Sequence, residues 1–592
     1  MRRTRPRCGT TASGGPVWPG PDALRVGLGC MRLSTDADRS EARALETIAA
    51  AVEAGITVFD TAHAYGLDAG DLGHNERLLA RALRACGAAD DAHVVTKGGM
   101  TRPGGAWVAD GRAKAIRADC EASLAALDGV PIDGYLLHAP DPRTPWRTSV
   151  RALARLAEEG LVRRVGVANV NRDQLDEALE LAPIAAVSVA LGPLDDRALR
   201  GGVVERCAEA GVAVIAHAPL GGPRRASGLA RRPELAAIAE ARGLTAAEVA
   251  LAWLLDLSPL LVPIPGARRP QTARSAARVA SVVLDGDERD RLAVAFGSLR
   301  KAPCRKVTAG GEAVIVMGIP GAGKTRTARD YADRGYERLN RDERGGSLRA
   351  LAAALDERLA AGARWVVLDN TYLTRAARSH VVDAAARHGL PVRCVWLRTP
   401  LAQAQVNMVE RLLERFGELP APDELRAAAR KEPWLLSATA QMRTVRELEP
   451  PALDEGFTAV EEIEFARASP AAGTGGVLVA AAALDRPAWR EVIAAADPAA
   501  PHLVFEWAPD GGTATAEAAA RLREVVTGPV EHAACPHPGG PPRCWCRPPL
   551  PGLALAFCRA HGLDPARSTV IGPAPAHRTL AAALGARLLD LR

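Results

Sequence analysis

One segment near the middle of the chain, residues 318–325, restricts the possible folds more than any other. It reads Gly-Ile-Pro-Gly-Ala-Gly-Lys-Thr, an apolar run at 313–317 precedes it, and a helical pattern follows it. Glycines allow backbone N–H groups to curl around a phosphate, and the start of a helix adds a favourable dipole. The segment therefore predicts a buried strand, a phosphate-binding loop and a helix, in that order.

The residue types in this loop predict how a nucleotide would be held. Gly318, Gly321 and Gly323 would let the backbone approach the phosphates. Lys324 would reach the β- and γ-phosphates, and Thr325 would bind Mg²⁺. The implied ligand is ATP with Mg²⁺, bound by an α/β domain of the P-loop NTPase type.

The chain has 592 residues, which is too many for one hydrophobic core, so several domains are expected. Its formal charge of +6 rests almost wholly on arginine, since only six lysines are present, and this excess is what a GC-rich coding sequence would give. No stretch approaches the ~20 apolar residues of a membrane span, and residues 1–21 lack the apolar core of a signal peptide. We expect a disordered lead over 1–21 in a cytoplasmic protein without a membrane partner.

Residues 22–297 alternate short apolar runs with alanine-rich helical patterns. The runs include 56–59, 93–96, 134–137, 164–167 and 212–215. Repeated strand–helix alternation over this length predicts a (β/α)8 TIM barrel, whose chemistry lies at the carboxyl ends of its strands.

Four polar residues close to these strand ends could act together: Asp60, Tyr65, Lys97 and His138. A tyrosine is a poor acid at neutral pH, because its ordinary pKa is about 10. A nearby ammonium, itself held by a carboxylate, would stabilise the phenolate and lower that pKa. A histidine beside the phenol could orient a carbonyl oxygen.

This set resembles the active site of the aldo-keto reductases. Further motifs in that family's order stand at 27–33, 73–76, 165–169, 218–220 and 263–268. The resemblance covers the whole domain and implies reduction of a small carbonyl substrate. It implies that Tyr65 is the general acid, that Asp60 and Lys97 tune it, and that His138 positions the substrate.

The resemblance also implies NADPH as the cofactor. Asn169 would hold the nicotinamide carboxamide, and Arg268 or Arg269 would hold the adenosine 2′-phosphate. The chain departs from the family at 187–191, where a glutamine and then a stacking aromatic residue are usual. It departs again at 275–276, where Ser-Ala replaces an acidic residue and an asparagine. We expect these departures to weaken cofactor binding, at roughly 1 kcal/mol for each lost contact.

A linker is expected at 298–310, and the phosphate loop lies in a second domain at 311–468. That domain carries Asn-Arg-Asp at 340–342, Asp-Asn-Thr at 369–371, a helical stretch with Arg411, and Glu-Gly-Phe at 455–457. Together these pieces resemble the kinase domain of polynucleotide kinases. The resemblance implies that Asp342 accepts the proton of an attacking 5′-hydroxyl, that Asp369 supports the metal and acceptor site, and that Arg411 stabilises phosphate charge.

A phosphate loop alone does not identify the acceptor. The motif order favours nucleic-acid 5′-hydroxyl ends, and the alternative is a small alcohol such as a sugar or nucleoside. A nucleic-acid acceptor would bind less tightly as salt is added, because neutralising phosphates releases counterions. An acceptor KM that ignores salt would favour the small alcohol.

After a linker at 469–475, residues 476–592 resume α/β alternation and predict a Rossmann-like domain. Cys535, His537, Cys544 and Cys546 stand on two short turns, a set that suits a tetrahedral structural Zn²⁺. The layout resembles the zinc-bearing phosphatases of the haloacid-dehalogenase superfamily.

The residues that the resemblance would require for phosphatase catalysis are missing. The first predicted strand, 477–482, has no Asp-x-Asp pair, Leu550 replaces a lysine, and 571–577 has no aspartate. Without a carboxylate nucleophile no aspartyl-phosphate can form. We expect a catalytically inactive phosphatase-like domain that serves for docking or substrate guidance. The alternative hypothesis is that the barrel and this domain are both scaffolds and that only the kinase is active.

Overall fold

The computed structural model describes residues 18–20, 23–299, 310–466, 473–509, 511 and 514–591. The chain forms two compact units, Met1–Lys301 and Ala302–Arg592. Within the described ranges, no helix is both long enough and apolar enough to cross a membrane.

Unit 1 contains eight parallel strands in the order β1-β2-β3-β6-β7-β8-β9-β10. Gly27 N donates to Pro263 O at 3.0 Å and Gly29 N to Pro265 O at 3.1 Å, which joins the last strand to the first and closes the barrel. The predicted (β/α)8 barrel is confirmed. The barrel strands are β1 (Leu28–Gly29), β2 (Val58–Asp60), β3 (His93–Gly98), β6 (Ile132–Leu137), β7 (Val165–Ala168), β8 (Ile184–Ala190), β9 (Ala213–His217) and β10 (Leu261–Ile264); β4 (Met100–Thr101) and β5 (Val108–Ala109) form a separate hairpin.

The helices of unit 1 cover the outside of the barrel, and their apolar faces form one large core with the strands. Three of them begin with a capping box, in which a polar side chain and a residue three positions on satisfy each other's backbone N–H. The helices are α1 (Arg32–Thr35), α2 (Glu41–Glu53), α3 (His74–Ala85), α4 (Ala113–Leu127), α5 (Trp146–Glu158), α6 (Arg172–Leu181), α7 (Arg197–Arg200), α8 (Val203–Ala210), α9 (Pro233–Arg242), α10 (Ala246–Leu257), α11 (Pro270–Arg278) and α12 (Gly286–Phe296).

Unit 2 begins with a five-stranded parallel sheet in the order β12-β13-β11-β14-β15. The central strand leads into the phosphate loop, and its neighbour β13 ends at Asp369, beside that loop. The strands are β11 (Glu312–Met317), β12 (Glu337–Asn340), β13 (Trp365–Asp369), β14 (Val392–Arg398) and β15 (Ala459–Glu464). The helices are α13 (Lys324–Asp333), α14 (Arg341–Arg344), α15 (Leu348–Ala360), α16 (Arg375–Arg387), α17 (Leu401–Phe416), α18 (Pro422–Ala428) and α19 (Ala438–Glu447).

A second five-stranded parallel sheet follows, in the order β18-β17-β16-β19-β20. Its strands are β16 (Val477–Ala480), β17 (His502–Trp507), β18 (Val530–Cys535), β19 (Thr569–Ile571) and β20 (Arg587–Leu589), and its helices are α20 (Trp489–Ala494), α21 (Ala514–Arg523), α22 (Gly552–Ala560) and α23 (Pro575–Leu584). One hydrophobic cluster joins α17 and α19 to this sheet and to α22 and α23. The two α/β layers of unit 2 therefore share a core.

Most of the predicted lead, 1–17 and 21, lies outside the described residues, as do 300–309 and 467–472 of the two predicted linkers. Trp18 is described: its side chain is buried, and its Nε1–H donates to the Asp133 carboxylate.

Candidate functional site

The four predicted catalytic residues of the barrel lie together at the carboxyl ends of its strands. Lys97 Nζ donates to Asp60 Oδ2 at 2.6 Å and to the Thr61 carbonyl at 2.9 Å. Its distance to Tyr65 Oη is 3.4 Å. Asp60, Tyr65 and Lys97 are all buried. The ammonium therefore joins the carboxylate to the phenol, as the sequence predicts.

The expected direction of the Tyr65 pKa is wrong. Burial, followed by the neighbouring Asp60 carboxylate, raises the pKa of the Tyr65 phenol well above its usual value. The Lys97 ammonium does not overcome these effects, because Asp60 already neutralises it at 2.6 Å. The phenol is consequently held protonated, which is the state that a proton donor needs.

His138 follows β6 and faces Tyr65 edge-on, with ring centroids 5.7 Å apart. Burial, and then the charge of Lys97, lowers the pKa of His138 to about 3. The imidazole is therefore neutral at physiological pH. Its Nδ1 is buried and has no hydrogen-bond partner among the described residues.

The side of the pocket where the nicotinamide is expected holds Asn169, at the end of β7. Asn169 has a φ of 58°, and its Nδ2 donates to His138 O at 2.9 Å. His217 Nε2 lies 3.1 Å from Asn169 Oδ1. Ser188 Oγ is buried and has no hydrogen-bond partner in the described part of the chain. These residues and the catalytic ones line one cavity of about 240 Å³.

An aromatic ring is not missing from this cavity, although the sequence at 187–191 led us to expect its loss. His217, at the end of β9, contributes an imidazole to the lining. Burial lowers the pKa of His217 to about 4, so this ring is neutral too. In the sequence, His217 directly precedes the motif at 218–220, and the sequence analysis named that motif without His217.

The two predicted phosphate-binding arginines differ in their surroundings. Arg268 is engaged by carboxylates: Nη1 lies 3.0 Å from Asp36 Oδ2, and Nη2 lies 2.7 Å from Asp38 Oδ2. Arg269 is exposed at the start of α11. Ser275, at one of the departures from the family pattern, donates to the buried Glu248 at 2.9 Å.

Trp107 was not singled out from the sequence, because a lone tryptophan in a loop carries no pattern. Its ring lies 6.1 Å from that of Tyr65 and 5.8 Å from that of His138. The Arg102 guanidinium stacks on the Trp107 ring, with its carbon 3.7 Å from the ring centroid. Trp107 therefore forms an aromatic wall beside the catalytic phenol and imidazole.

In unit 2 the phosphate loop has the predicted setting between β11 and α13. Gly321 has a φ of 85°, and a Cβ there would lie 2.3 Å from Ala404 O, so only glycine fits. Lys324 Nζ donates to Gly318 O at 3.0 Å and to Ile319 O at 2.9 Å. Burial lowers the pKa of Lys324 to about 8, against the attraction of Asp369 and Asp342.

Asp369 and Asp342 are linked through Asn340. Asn340 Nδ2 donates to Asp369 Oδ1 at 2.8 Å, while its Oδ1 accepts from the backbone N–H of Asp342 at 2.7 Å. Arg338 also holds Asp369 with two hydrogen bonds, at 3.1 and 2.9 Å. Burial nevertheless raises the pKa of the Asp369 carboxyl. The sequence analysis gave no role to Arg338 or to Asn340 of the 340–342 motif, because their roles depend on pairing between β12 and β13.

Arg411, on α17, stacks on the Trp434 ring with its guanidinium carbon 4.2 Å from the ring centroid. Both residues line a cavity of about 480 Å³ together with the phosphate loop, Asp342 and Asp369. A further cavity of about 570 Å³ starts at Gly323 and Thr327 and reaches Asp564. The predicted kinase residues therefore surround one space, and Trp434 is an unpredicted member of its wall.

The four predicted metal ligands converge, with all ligand atoms within 4.8 Å of one another. Cys535 Sγ lies 3.8 Å from Cys544 Sγ and 3.6 Å from His537 Nδ1, and Cys546 Sγ lies 3.2 Å from that nitrogen. A tetrahedral Zn²⁺ with Zn–S of ~2.3 Å and Zn–N of ~2.0 Å places its ligand atoms ~3.5–3.8 Å apart. The donor set and spacing fit zinc.

The carboxyl end of β16 continues into three alanines, Ala481–Ala483, which are part of a 3-10 turn. β19 ends at Ile571, and the backbone N–H of Ala574 beyond it donates to His577 Nδ1 at 3.2 Å. No carboxylate therefore follows either strand directly, although these are the strand ends where the phosphatase resemblance requires one.

Comparison with known proteins identifies two of the domains. Residues 25–295 match the Aldo/keto reductase family, and residues 314–432 match an AAA domain family. An uncharacterized oxidoreductase of Schizosaccharomyces pombe is 29% identical over 270 residues, which are 44% of this chain and 83% of that protein. The chain therefore carries an oxidoreductase domain of the aldo/keto reductase family, followed by a P-loop domain of the AAA, kinase-like type.

Solved structures of aldo-keto reductases also align with the chain. One is the Klebsiella pneumoniae aldo/keto reductase in complex with NADP and acetate, which is 26% identical; it covers 49% of this chain and 95% of its own length, with a TM-score of 0.40. Another is the glycerol dehydrogenase of Gluconobacter oxydans, 28% identical, which covers 48% of this chain and 96% of its own, with a TM-score of 0.41.

Proposed function

We propose that the protein is bifunctional: the barrel reduces a small carbonyl compound with NADPH, and the P-loop domain phosphorylates 5′-hydroxyl ends of polynucleotides with ATP. The observation that carries the first activity is the contact of Lys97 with both Asp60 and Tyr65 beside His138. The second rests on the enclosure of one cavity by the phosphate loop, Asp342 and Arg411.

In the barrel, Tyr65 supplies the proton to the carbonyl oxygen. Its raised pKa keeps the proton in place until negative charge develops on that oxygen, and the nearby Lys97 ammonium then stabilises the phenolate that remains. Neutral His138, whose ring lines the same cavity as Tyr65, directs the carbonyl. The bound nicotinamide would supply the hydride.

The cavity residues fit a nicotinamide, because Ser188 Oγ and the Asn169 amide offer hydrogen-bonding groups to a carboxamide and His217 offers a flat ring. Arg268 and Arg269 would hold the 2′-phosphate. Arg268 would then exchange its two carboxylate partners, Asp36 and Asp38, for a phosphate. Breaking those ion pairs costs binding free energy, and binding of NADH, which has no 2′-phosphate, would not require it.

In the P-loop domain, Asp342 accepts the proton of the attacking hydroxyl while the phosphate loop and Lys324 hold the nucleotide. Arg411 stabilises the negative charge that is redistributed over the phosphates during transfer. Bound ATP would supply the phosphoryl group, and Thr325 would hold the Mg²⁺. Asp369 supports this arrangement through Asn340 and its bond to the Asp342 backbone.

A small alcohol is the second candidate acceptor for the kinase. The observation that favours it is the shape of the pocket, since Trp434 and Arg411 close one side of the space around the phosphate loop. The acceptor KM, measured between 50 and 300 mM salt, separates the two: a steep rise supports nucleic acid, and a flat response supports the small alcohol.

The C-terminal domain would be a catalytically inactive phosphatase relative with a structural Zn²⁺ at Cys535, His537, Cys544 and Cys546. The alanines after β16 support the lack of phosphatase activity. Release of phosphate from a 3′-phosphorylated oligonucleotide by this domain would overturn that assignment. Zinc content near one ion per chain, lost on substitution of a ligand, would support the metal.

The reductase is tested on a panel of aldehydes with NADPH. Tyr65→Phe should lower kcat by at least about a hundredfold, because it removes the acid and leaves the pocket shape. Tyr135→Phe is the matched control, since its buried hydroxyl donates to the Ile116 carbonyl, at 3.1 Å, and Tyr135 does not line the cavity. Equal activity of wild type and Tyr65→Phe would contradict the proposal and favour a scaffold role for the barrel.

The kinase is tested by transfer of labelled γ-phosphate from ATP to 5′-hydroxyl DNA and RNA oligonucleotides. Asp342→Asn should abolish transfer while ATP binding persists. Asp356→Asn, on the exposed face of α15, should leave transfer unchanged. An ATP-binding protein that transfers nothing to either oligonucleotide would direct attention to small alcohols.

A further inference from the structure

The chain segment 433–441, called the cover segment below, forms one wall of the nucleotide cavity in unit 2. Pro433, Trp434 and Leu436 line that cavity on the side of Arg411. The segment ends inside α19, where Gln441 is fully buried. Gln441 Nε2 donates to Pro320 O of the phosphate loop at 2.8 Å. The cover segment thus touches both the phosphate loop and the arginine that faces it.

Residues 535–551, which carry the four predicted metal ligands and are called the metal hairpin, contact this same segment. Trp545, which stands between the ligands Cys544 and Cys546, donates from Nε1 to Leu436 O at 3.0 Å. Pro542 O accepts from Thr439 twice, from N at 3.2 Å and from Oγ1 at 2.6 Å. Trp545 is 2% exposed and belongs to the shared core of unit 2. Three hydrogen bonds and a buried indole therefore fix the cover segment to the hairpin.

The hairpin has little regular structure of its own. Between β18 and α22, residues 536–551 contain neither a helix nor a strand, and they include seven prolines and two glycines. Cross-links through Cys535, His537, Cys544 and Cys546 are the obvious source of order for such a loop, because metal binding and local folding are coupled.

We infer that Trp545 is a positioning residue for nucleotide binding, and that the metal hairpin of the C-terminal layer sets the place of the cover segment in the kinase pocket. The inference rests on the proposed function for its nucleotide, while the link between hairpin and segment stands on its own contacts. It gives a catalytically inactive layer a task in the neighbouring active site.

The test uses the full-length protein and two separate measurements. Amide hydrogen exchange over 433–441 reports the segment itself, and titration with a fluorescent ATP analogue reports the pocket. Trp545→Phe keeps most of the buried volume but removes the bond to Leu436. It should speed exchange in the segment several-fold and raise the Kd for nucleotide roughly five-fold, the weight of one hydrogen bond. Trp489→Phe, on α20 in a different hydrophobic cluster, should change neither.

Removal of the metal with a chelator, followed by a zinc-sensitive dye, gives a second perturbation of the same link. Exchange in 433–441 should rise as the metal leaves, and re-addition of Zn²⁺ should reverse it. Unchanged exchange in both Trp545→Phe and chelated protein would overturn the inference. A different outcome is that exchange in 433–441 responds to chelation but the wild-type protein does not bind ATP. That result would support the link between the metal hairpin and the cover segment and would refute the kinase assignment.

Discussion

Arg338 binds the buried carboxylate of Asp369 through both oxygens, from Nε to Oδ1 at 3.1 Å and from Nη2 to Oδ2 at 2.9 Å. A carboxylate paired in this way with a guanidinium has lost much of its attraction for a second cation. Asp369 is therefore better placed to anchor Asn340 and the Asp342 loop than to ligate Mg²⁺ directly.

Substitution of Arg338 distinguishes these roles. Arg338→Met should lower kcat for phosphoryl transfer at least tenfold, because the buried Asp369 loses its partner and Asn340 loses its fixed position. The half-saturating Mg²⁺ concentration should stay unchanged. Arg358→Met is the control. It breaks a half-exposed ion pair, at 2.6 Å, with Glu337, which lies on β12 beside Arg338. Tighter Mg²⁺ binding in Arg338→Met would show that Asp369 is a metal ligand.

The reductase should show little pH dependence between about pH 5 and 9. His138, with a pKa lowered to about 3, stays neutral over this range. Tyr65 must be protonated to act, and its raised pKa means that the proton is retained as the pH rises. Measurement of kcat/KM for carbonyl reduction across this range checks the expectation. A fall with an apparent pKa near 7 would mean that another group controls the reaction.

The ring of His217 should contribute to cofactor binding. His217→Ala is expected to raise the Kd for NADPH about five-fold, in line with ~1 kcal/mol for an aromatic contact, and His217→Phe should restore it. The control is His93→Ala, on the amino-terminal side of β3, where the imidazole bonds to Asp133. Fluorescence titration measures all four proteins. A His217→Phe variant as weak as His217→Ala would show that the hydrogen bond to Asn169 matters instead.

ATP affinity should fall as the pH rises through about 8. The pKa of Lys324 is lowered to about 8 in the protein without nucleotide, so the amine loses its proton above that pH. Polyphosphate binds the charged form, and the affinity should decrease toward tenfold per pH unit. Calorimetry in buffers of different ionisation enthalpy should detect proton uptake on binding at pH 8.5. Lys324→Arg, which stays charged, should lack this dependence whatever its affinity.

The buried pair between Arg378 and Glu455 should dominate the stability of the first α/β layer of unit 2. The guanidinium donates to both carboxylate oxygens, at 2.7 and 2.6 Å, and neither side chain is exposed to solvent by more than 3%. Glu455→Gln leaves a buried cation without its counter-charge and should cost about 3–5 kcal/mol. Glu464→Gln, at an exposed pair with Arg398, should cost less than ~1 kcal/mol in the same urea titration.

Much of the fold follows from local sequence patterns. The barrel, the phosphate loop and the convergence of four metal ligands were predicted, because strand–helix alternation and short motifs encode them within a few residues. Asp60, Tyr65, Lys97 and His138 meet because parallel strands in a barrel end at one rim. That rule needs no knowledge of individual contacts.

The missed features depend on contacts between distant segments. Trp107 reaches Tyr65 through a hairpin whose path no pattern predicts. The direction of the Tyr65 pKa was wrong because burial, which sequence does not reveal, outweighs a neighbouring charge. The link from Trp545 to Leu436 joins residues 109 positions apart, so it appears only once both layers are packed.

The hydrophobic core that the two layers of unit 2 share constrains which mutations of this chain evolution can accept. Deleting the C-terminal layer would leave the apolar faces of α17 and α19 in water, and the remaining kinase-like layer would lose solubility along with its support. Ala481 and Ala483, just beyond the end of β16, belong to a different hydrophobic cluster. Selection can therefore tolerate substitutions just beyond β16 more readily than substitutions in the shared core.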